Sequence, residues 1–269
     1  VSEKLGLELE EMRGASCTGA GVMQEANLFL TDCLNARTFA QAQQMGLPIM
    51  NICSTCMGVM AQARRRLEDE EYRGRVNEVL YEEGLEYTGG IEVKHMLWIL
   101  VEDVGLAKLR SLVVQPLKGL KVAPFYGCYI VRPTDALEYD KYPLRERSLE
   151  LVIEAMGAES IDFSGKSRCC GFPILTINEK NSVAMVAKHT LDAKSEGADV
   201  MVTPCPLCHL NLDGFQPAAS SQAKQNIDMP ILHLPQMVGL ALGLDAGVLG
   251  LGRHIISTFD VQMQLGVRV

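Results

Sequence analysis

Apolar residues recur at three- and four-residue spacing over two long stretches, 24–45 and 181–196, and each stretch stops near a glycine, Gly46 or Gly197. That period predicts amphipathic helices with ordinary stop signals. Directly after each glycine runs a short unbroken apolar segment, 47–52 and 198–203, of the kind found in parallel strands covered on both faces. A third unit pairs a strand over 120–127 with a helix over 143–156, whose stripe is Leu144, Leu149, Val152, Ile153 and Met156. Strands alternating with helices predict an α/β fold with short parallel sheets. The amphipathic stretch 95–109 reads as a core helix rather than a membrane-surface one, because its polar face carries Glu102 and Asp103 instead of a basic row. No run reaches the ~20 apolar residues of a membrane span. The best candidate, 238–252, holds five glycines and Asp245 and reads as a buried helix and turn.

Composition narrows the class without choosing a chemistry. At 269 residues, 48% hydrophobic and 22% charged, the chain has globular values and room for one large or two small domains. A net charge of −8, with no basic stripe interleaved with aromatics, argues against nucleic acid as a partner. The cysteine count is nine, an odd number at spacings typical of metal sites, so a reducing cytoplasm fits better than a secreted disulfide scaffold.

The cysteines expose a repeat. At an offset of 152 residues, Cys17 falls on Cys169, Gly19 on Gly171, Cys53 on Cys205 and Cys56 on Cys208. Each half reads as a Cys–x–Gly turn, a helix, a short strand and a CxxC at the strand's carboxyl end, where open α/β sheets place ligands. The expected organisation is a first repeat over 1–95, a connecting helical segment over 96–118, and a second repeat over 119–269 with a C-terminal helical extension. Cys128 precedes Cys169 by 41 residues, so its counterpart would stand about 24 residues before Val1. The first repeat is therefore expected to be truncated, with 1–9 as the tail of the helix that matches 143–156.

Five thiols, Cys128, Cys169, Cys170, Cys205 and Cys208, gather at three points of the second half. An adjacent pair cannot place both sulfurs on one small ion without strain, but it can grip a core of several metal atoms, which points to iron and sulfide and to electron transfer. The first half has Cys17, Cys53 and Cys56, with Thr18 where the second has Cys170, and a hydroxyl is a poor iron ligand beside thiolates. Zinc held by the two CxxC pairs would leave Cys128 and the Cys–Cys pair unexplained. A thioredoxin-like dithiol at either CxxC is the other simple reading. Cys33 has no partner in the repeat and reads as a core thiol. His209, His189 and His233 read as structural, with proton donation near a sulfur-reducing centre as the sharper alternative. Lys166 and Arg168 read as surface charges that could instead offset cluster charge. No GxGxxG turn follows a strand, so no dinucleotide site is expected.

The segments GCYIVRP (127–133), RCCGFPI (168–174), PCPLCHLNLD (204–213) and ICSTCMGVM (52–60) resemble the cysteine-rich CCG family across almost the whole chain, and most of all the B subunit of heterodisulfide reductase. The hydrophilic anchor subunit of some succinate or fumarate reductases is similar too. The resemblance implies two pseudo-symmetric α/β domains. It implies a non-cubane [4Fe–4S] cluster on Cys128, Cys169, Cys170, Cys205 and Cys208, where a disulfide, thiol or persulfide exchanges electrons. A second [4Fe–4S] cluster on Cys17, Cys53 and Cys56 would need the upstream cysteine. The expected activity is that of an oxidoreductase acting on sulfur groups. Its partners would be an iron–sulfur protein like the reductase's C subunit, and a flavin and iron–sulfur protein like its A subunit. The expected location is the cytoplasm or the inner face of the membrane. The alternative is an electron-transfer anchor that passes electrons to quinone.

Overall fold

The computed structural model describes residues 1–267. The chain divides into two compact units: Leu9–Met96 with Tyr129–Pro143, and Val1–Glu8 with Leu97–Cys128 and the chain from Leu144 on. Both are mixed α/β with short parallel sheets, the architecture the hydrophobic pattern predicts.

In the unit that holds Leu9–Met96, helix α1 (Leu28–Met45) leads into strand β1 (Ile49–Asn51), then α2 (Ser54–Arg66), α3 (Glu70–Leu80) and β2 (Val93–His95). The helix expected over 24–45 breaks at Asn27, whose extended backbone (φ −155°) interrupts it while its side-chain oxygen accepts from Leu30 N at 3.0 Å. That is an N-cap in the middle of an apolar-periodic stretch, and it satisfies a helix-end donor that would otherwise be orphaned. β1 and β2 pair in parallel, Ile49 opposite Val93. Phe39, Val59, Leu67 and Val76 close the core beneath them. Asp32 sits fully buried on α1, with Arg66 at 2.6 Å and the Tyr72 hydroxyl donating to it at 2.8 Å, so one carboxylate ties α1, α2 and α3 together.

The other unit carries a four-stranded all-parallel sheet in the order β4 (Glu159–Ser160), β3 (Lys121–Pro124), β5 (Val200–Thr203), β6 (Ile231–His233). The central residues Val122, Ala123, Val200, Met201 and Val202 are completely buried, as expected for a strand pair covered on both faces. Its helices include α4 (Leu106–Leu112), α5 (Ser148–Ala155), α6 (Glu179–Ser195), α7 (Pro206–Gly214), α8 (Gln216–Ala223), α9 (Leu234–Ala241) and α10 (Phe259–Gln264). The segment expected as one helix over 143–156 begins instead as a 3₁₀ turn, Pro143–Arg147. Arg145 in that turn is buried, its guanidinium 2.7 Å from Glu102 and 4.0 Å above the Trp98 ring. Glu102 lies in a π-helical stretch, Ile99–Gly105, that replaces part of the regular helix expected over 95–109. The apolar side chains there, Leu97, Trp98, Leu100 and Leu109, are buried in the core. Among the described residues no helix is long and apolar enough to cross a membrane.

Candidate metal centre

Three loops at the carboxyl ends of β3 and β5 and before α6 bring Cys128, Cys169, Cys170, Cys205 and Cys208 together. None of the nine cysteines forms a disulfide. The five sulfurs make a continuous hydrogen-bonded chain in which Cys128 meets Cys169, Cys169 meets Cys170, Cys170 meets Cys208 and Cys208 meets Cys205.

Each thiol is placed by backbone chemistry. Cys205 is the N-cap of α7 and Pro206 its first residue, where a missing N–H costs nothing. Cys208 lies in the first turn, where the helix dipole favours a thiolate. Cys169 receives the Gly171 N–H at 3.4 Å and Cys170 the Phe172 N–H at 3.5 Å. Asn211 of α7, fully buried, donates to the Cys170 carbonyl at 2.8 Å, and the His189 Nε2 of α6 lies 2.9 Å from the Cys169 carbonyl. With that carbonyl as acceptor, the ring nitrogen is the donor. Gly127 adopts φ +75°, and a Cβ there would stand 2.9 Å from the Cys208 sulfur, so only glycine lets the Cys128 loop approach so closely.

Glu150 of α5 fastens two of these loops. Its carboxylate accepts from the Tyr126 hydroxyl and lies 3.1 Å from Lys166 Nζ, while Tyr126 N donates to the Lys166 carbonyl at 2.8 Å. Tyr126 stands two residues before Cys128 and Lys166 three before Cys169. Burial first, and then the Glu150 charge, hold the Tyr126 hydroxyl protonated far above its ordinary range. Lys166 also pairs with Asp162 at 2.6 Å, so its charge is committed to two carboxylates. Arg168 is exposed. Sequence reasoning missed Tyr126, Glu150 and Asn211. A carboxylate inside the apolar stripe of 143–156 was the one available signal.

The electrostatics say what the site needs. Hydrogen bonds from Cys128 and Cys170 draw the Cys169 thiol down to about 2. Donation to Cys169 pushes Cys170 up to about 12, and donation to Cys170 and Cys205, with burial, holds Cys208 well above its ordinary value. Left to themselves, the five thiols cannot all ionise, because like charges at contact repel in a buried pocket. A polynuclear cation removes that constraint, so the donor set fits an iron–sulfide core, which thiolates ligate.

The unit that holds Leu9–Met96 repeats the frame with fewer sulfurs. Cys53 caps α2 with φ −128° and ψ 117°, against −128° and 119° at Cys205. Gly19 N donates to the Cys17 sulfur at 3.4 Å, the distance found at Gly171. Thr18 donates its hydroxyl to the Cys56 sulfur at 3.3 Å, where Cys170 meets Cys208. Cys17 is exposed. Cys33 lies buried within α1, its thiol pushed up by burial and by Asp32.

This constellation and the repeated α/β frame define a class. The family model for the cysteine-rich domain, CCG, matches residues 1–61 and 122–213. The chain is 38% identical over 95% of its length to the 8-methylmenaquinol:fumarate reductase membrane anchor subunit of Wolinella succinogenes, spanning 89% of that protein. It is 32% identical over 96% of its length to the B subunit of the ferredoxin/F420H2-dependent CoB-CoM heterodisulfide reductase of Methanosarcina acetivorans, spanning 87% of it. An Archaeoglobus profundus protein named for its likeness to the heterodisulfide reductase B subunit is also 32% identical, over 90% of the chain and 82% of that protein. A crystal structure of a hypothetical protein from Helicobacter pylori shares the fold, with a TM-score of 0.75 at 18% identity over 95% of this chain and 47% of that one. The chain belongs to the cysteine-rich CCG domain family, and its thiol set and its relatives are those of an iron–sulfur redox subunit.

Proposed function

We propose that this chain is the subunit of a heterodisulfide reductase-like oxidoreductase complex at which a disulfide, or a persulfide, is interconverted with thiols. The reading places a non-cubane [4Fe–4S] cluster on Cys128, Cys169, Cys170, Cys205 and Cys208. The continuous chain of five sulfurs carries it, since that arrangement suits a core of several irons better than a single ion. Such a group, when bound, would supply one-electron steps and an iron open to a sulfur ligand. The chain's own contribution is to hold the five donors at fixed places, through Asn211 and His189 on the Cys169–Cys170 loop and Glu150 across the Cys128 and Cys169 loops.

In the overall change the S–S bond of R–S–S–R′ breaks, two electrons and two protons enter, and two thiols leave. Both electrons come from partner proteins, one an iron–sulfur chain like the reductase's C subunit, the other a flavin and iron–sulfur chain like its A subunit. The site of action would be the cytoplasm or the inner membrane face. Cys17, Cys53 and Cys56 would hold a second, relay cluster if completed by a further thiolate.

One observation favours a second reading. The 38% identical Wolinella protein is named a fumarate reductase anchor, so an adaptor that exchanges electrons with quinone is the competing assignment. Anaerobically purified protein should carry iron and acid-labile sulfide, and its paramagnetic signal should change when a disulfide is added. Cys170→Ser should abolish that response. A signal indifferent to every disulfide, but responsive to quinol in the complex, would transfer the assignment to the adaptor, and zinc without iron would remove both.

A further inference from the structure

We propose that Tyr129 is a positioning residue for the five-sulfur centre, seated in the frame of the three-sulfur set and joined by one peptide bond to Cys128. This rests on the reading of Cys128, Cys169, Cys170, Cys205 and Cys208 as one iron-binding set. The chain passes from one compact unit to the other at that bond, since Leu97–Cys128 belongs to the first and Tyr129–Pro143 goes with Leu9–Met96. Within its own unit Tyr129 lies against Gly21, four residues after Cys17, and Gly58, two after Cys56. Its hydroxyl donates to the Gly21 carbonyl at 3.4 Å and accepts from Gln24 Nε2 at 3.3 Å.

Gly58 is the telling residue. It lies inside α2, where glycine is a poor helix former, and it is not among the glycines with positive φ. Its backbone therefore does not call for glycine, but its surroundings do. A Cβ there would stand 2.7 Å from Tyr129 Cδ1 and nearer still to the Tyr129 carbonyl oxygen. A Cβ on Gly21 would stand 2.9 Å from Tyr129 Cε2 and nearer to the hydroxyl. The repeat points the same way. At the offset of 152, Gly58 falls on Leu210 and Gly21 on Pro173, and Leu210 is 57% exposed. The half with the two glycines is the half that receives Tyr129.

Before Cys128 the chain is fixed by other means, with the Tyr126 hydroxyl on Glu150 and Gly127 close to the Cys208 sulfur. Cys128 itself is half-buried, whereas Cys170, Cys205 and Cys208 are buried, so its place depends more on its chain neighbours than theirs does. Displacing Tyr129 would shift Cys128, and the placing of ligand sulfurs tunes an iron–sulfur centre.

The test uses the full chain, purified anaerobically with its iron. Every protein carries Cys17→Ser, which leaves the three-sulfur set two thiols, too few to hold a cluster of its own. The paramagnetic signal followed is the one that Cys170→Ser abolishes. Gly58→Ala and Tyr129→Ala should each shift its g values and its midpoint potential. The double variant should shift them no further than the larger single change, as two residues acting through one contact do. Gly46→Ala, in the same unit with nothing near its Cβ, should leave both unmoved. Tyr129→Phe keeps the ring, loses only the hydroxyl's bonds and should give a smaller shift. A native signal in folded Gly58→Ala, additive shifts, or an equal shift in Gly46→Ala would each overturn the proposal. Where the alanine variants do not fold, an unmoved signal in Tyr129→Phe overturns it. A signal that survives Cys170→Ser would instead remove the five-sulfur reading, and the proposal with it.

Discussion

The two cysteine sets are built on one frame but hold five sulfurs and three, and one of the differences is a single atom. The N-cap angles at Cys53 and Cys205 agree within 2°, and the N–H to sulfur distances at Gly19 and Gly171 are equal. Yet the position that meets the second cysteine of CxxC is an oxygen at Thr18 and a sulfur at Cys170. The backbone therefore prepares the place, and the side chain decides what can bind. A threonine hydroxyl cannot replace a thiolate as a soft ligand, so the frame alone does not make a five-sulfur centre.

The largest effect should come from making the second set resemble the first. Cys170→Ser keeps the size and removes the soft donor. It is expected to cost about four irons per chain, the content of one [4Fe–4S] core, with the corresponding paramagnetic signal lost. Iron and sulfide analysis with electron paramagnetic resonance decides it. Full iron content in Cys170→Ser would mean that the five sulfurs do not act as one set. The reverse change, Thr18→Cys, should raise iron retention in the first set by a smaller amount, since Cys17 is exposed.

Much of this contrast was legible in the sequence, because cysteine spacing and the 152-residue offset are local facts. The α/β pattern, the glycine stops after both long helices and the CxxC at strand ends were equally readable. The short strands β2, β4 and β6 were not. Each is two or three residues long, and its apolar content is decided by which neighbour it pairs with. The break at Asn27 was hidden because a cap is chemistry of one side chain inside an intact apolar period. The frames agree in detail: the caps Asn27 and Asn178 stand 151 residues apart, as do Gly46 and Gly197, while the cysteines stand 152 apart. Glu150 was visible only as a carboxylate inside an apolar stripe, and its role was not, since its partners Tyr126 and Lys166 come from other segments.

A second contrast concerns where a buried carboxylate is spent. Asp32 joins α1 to Arg66 and Tyr72, among helices only, whereas Glu150 joins Tyr126 and Lys166 on the loops that carry Cys128 and Cys169. Removing one partner of a buried pair leaves the other uncompensated. Asp32→Asn should cost about 3 kcal/mol. Glu150→Gln should cost about 2 kcal/mol, less because Lys166 is 35% exposed and partly screened by water. Urea midpoints at constant m measure both. Only Glu150→Gln should also broaden or shift the paramagnetic signal. An equal spectroscopic change in Asp32→Asn would show that the carboxylate at Glu150 has no special hold on the cysteine loops.

The smallest effect tests the repeat itself. Gly46 and Gly197 close the two long helices at φ +68° and +88°, and a Cβ at either would meet nothing within 4 Å. Substitution by alanine therefore adds backbone strain and no collision, about 1 kcal/mol for a left-handed residue with a side chain. Gly46→Ala and Gly197→Ala should lose the same amount, to within a few tenths of a kcal/mol, by urea denaturation, with iron content unchanged in both. The equality matters more than the size. The two glycines do the same job only if the halves are the same supersecondary unit, and a loss confined to one of them would mean that its helix end is held by contacts its counterpart lacks.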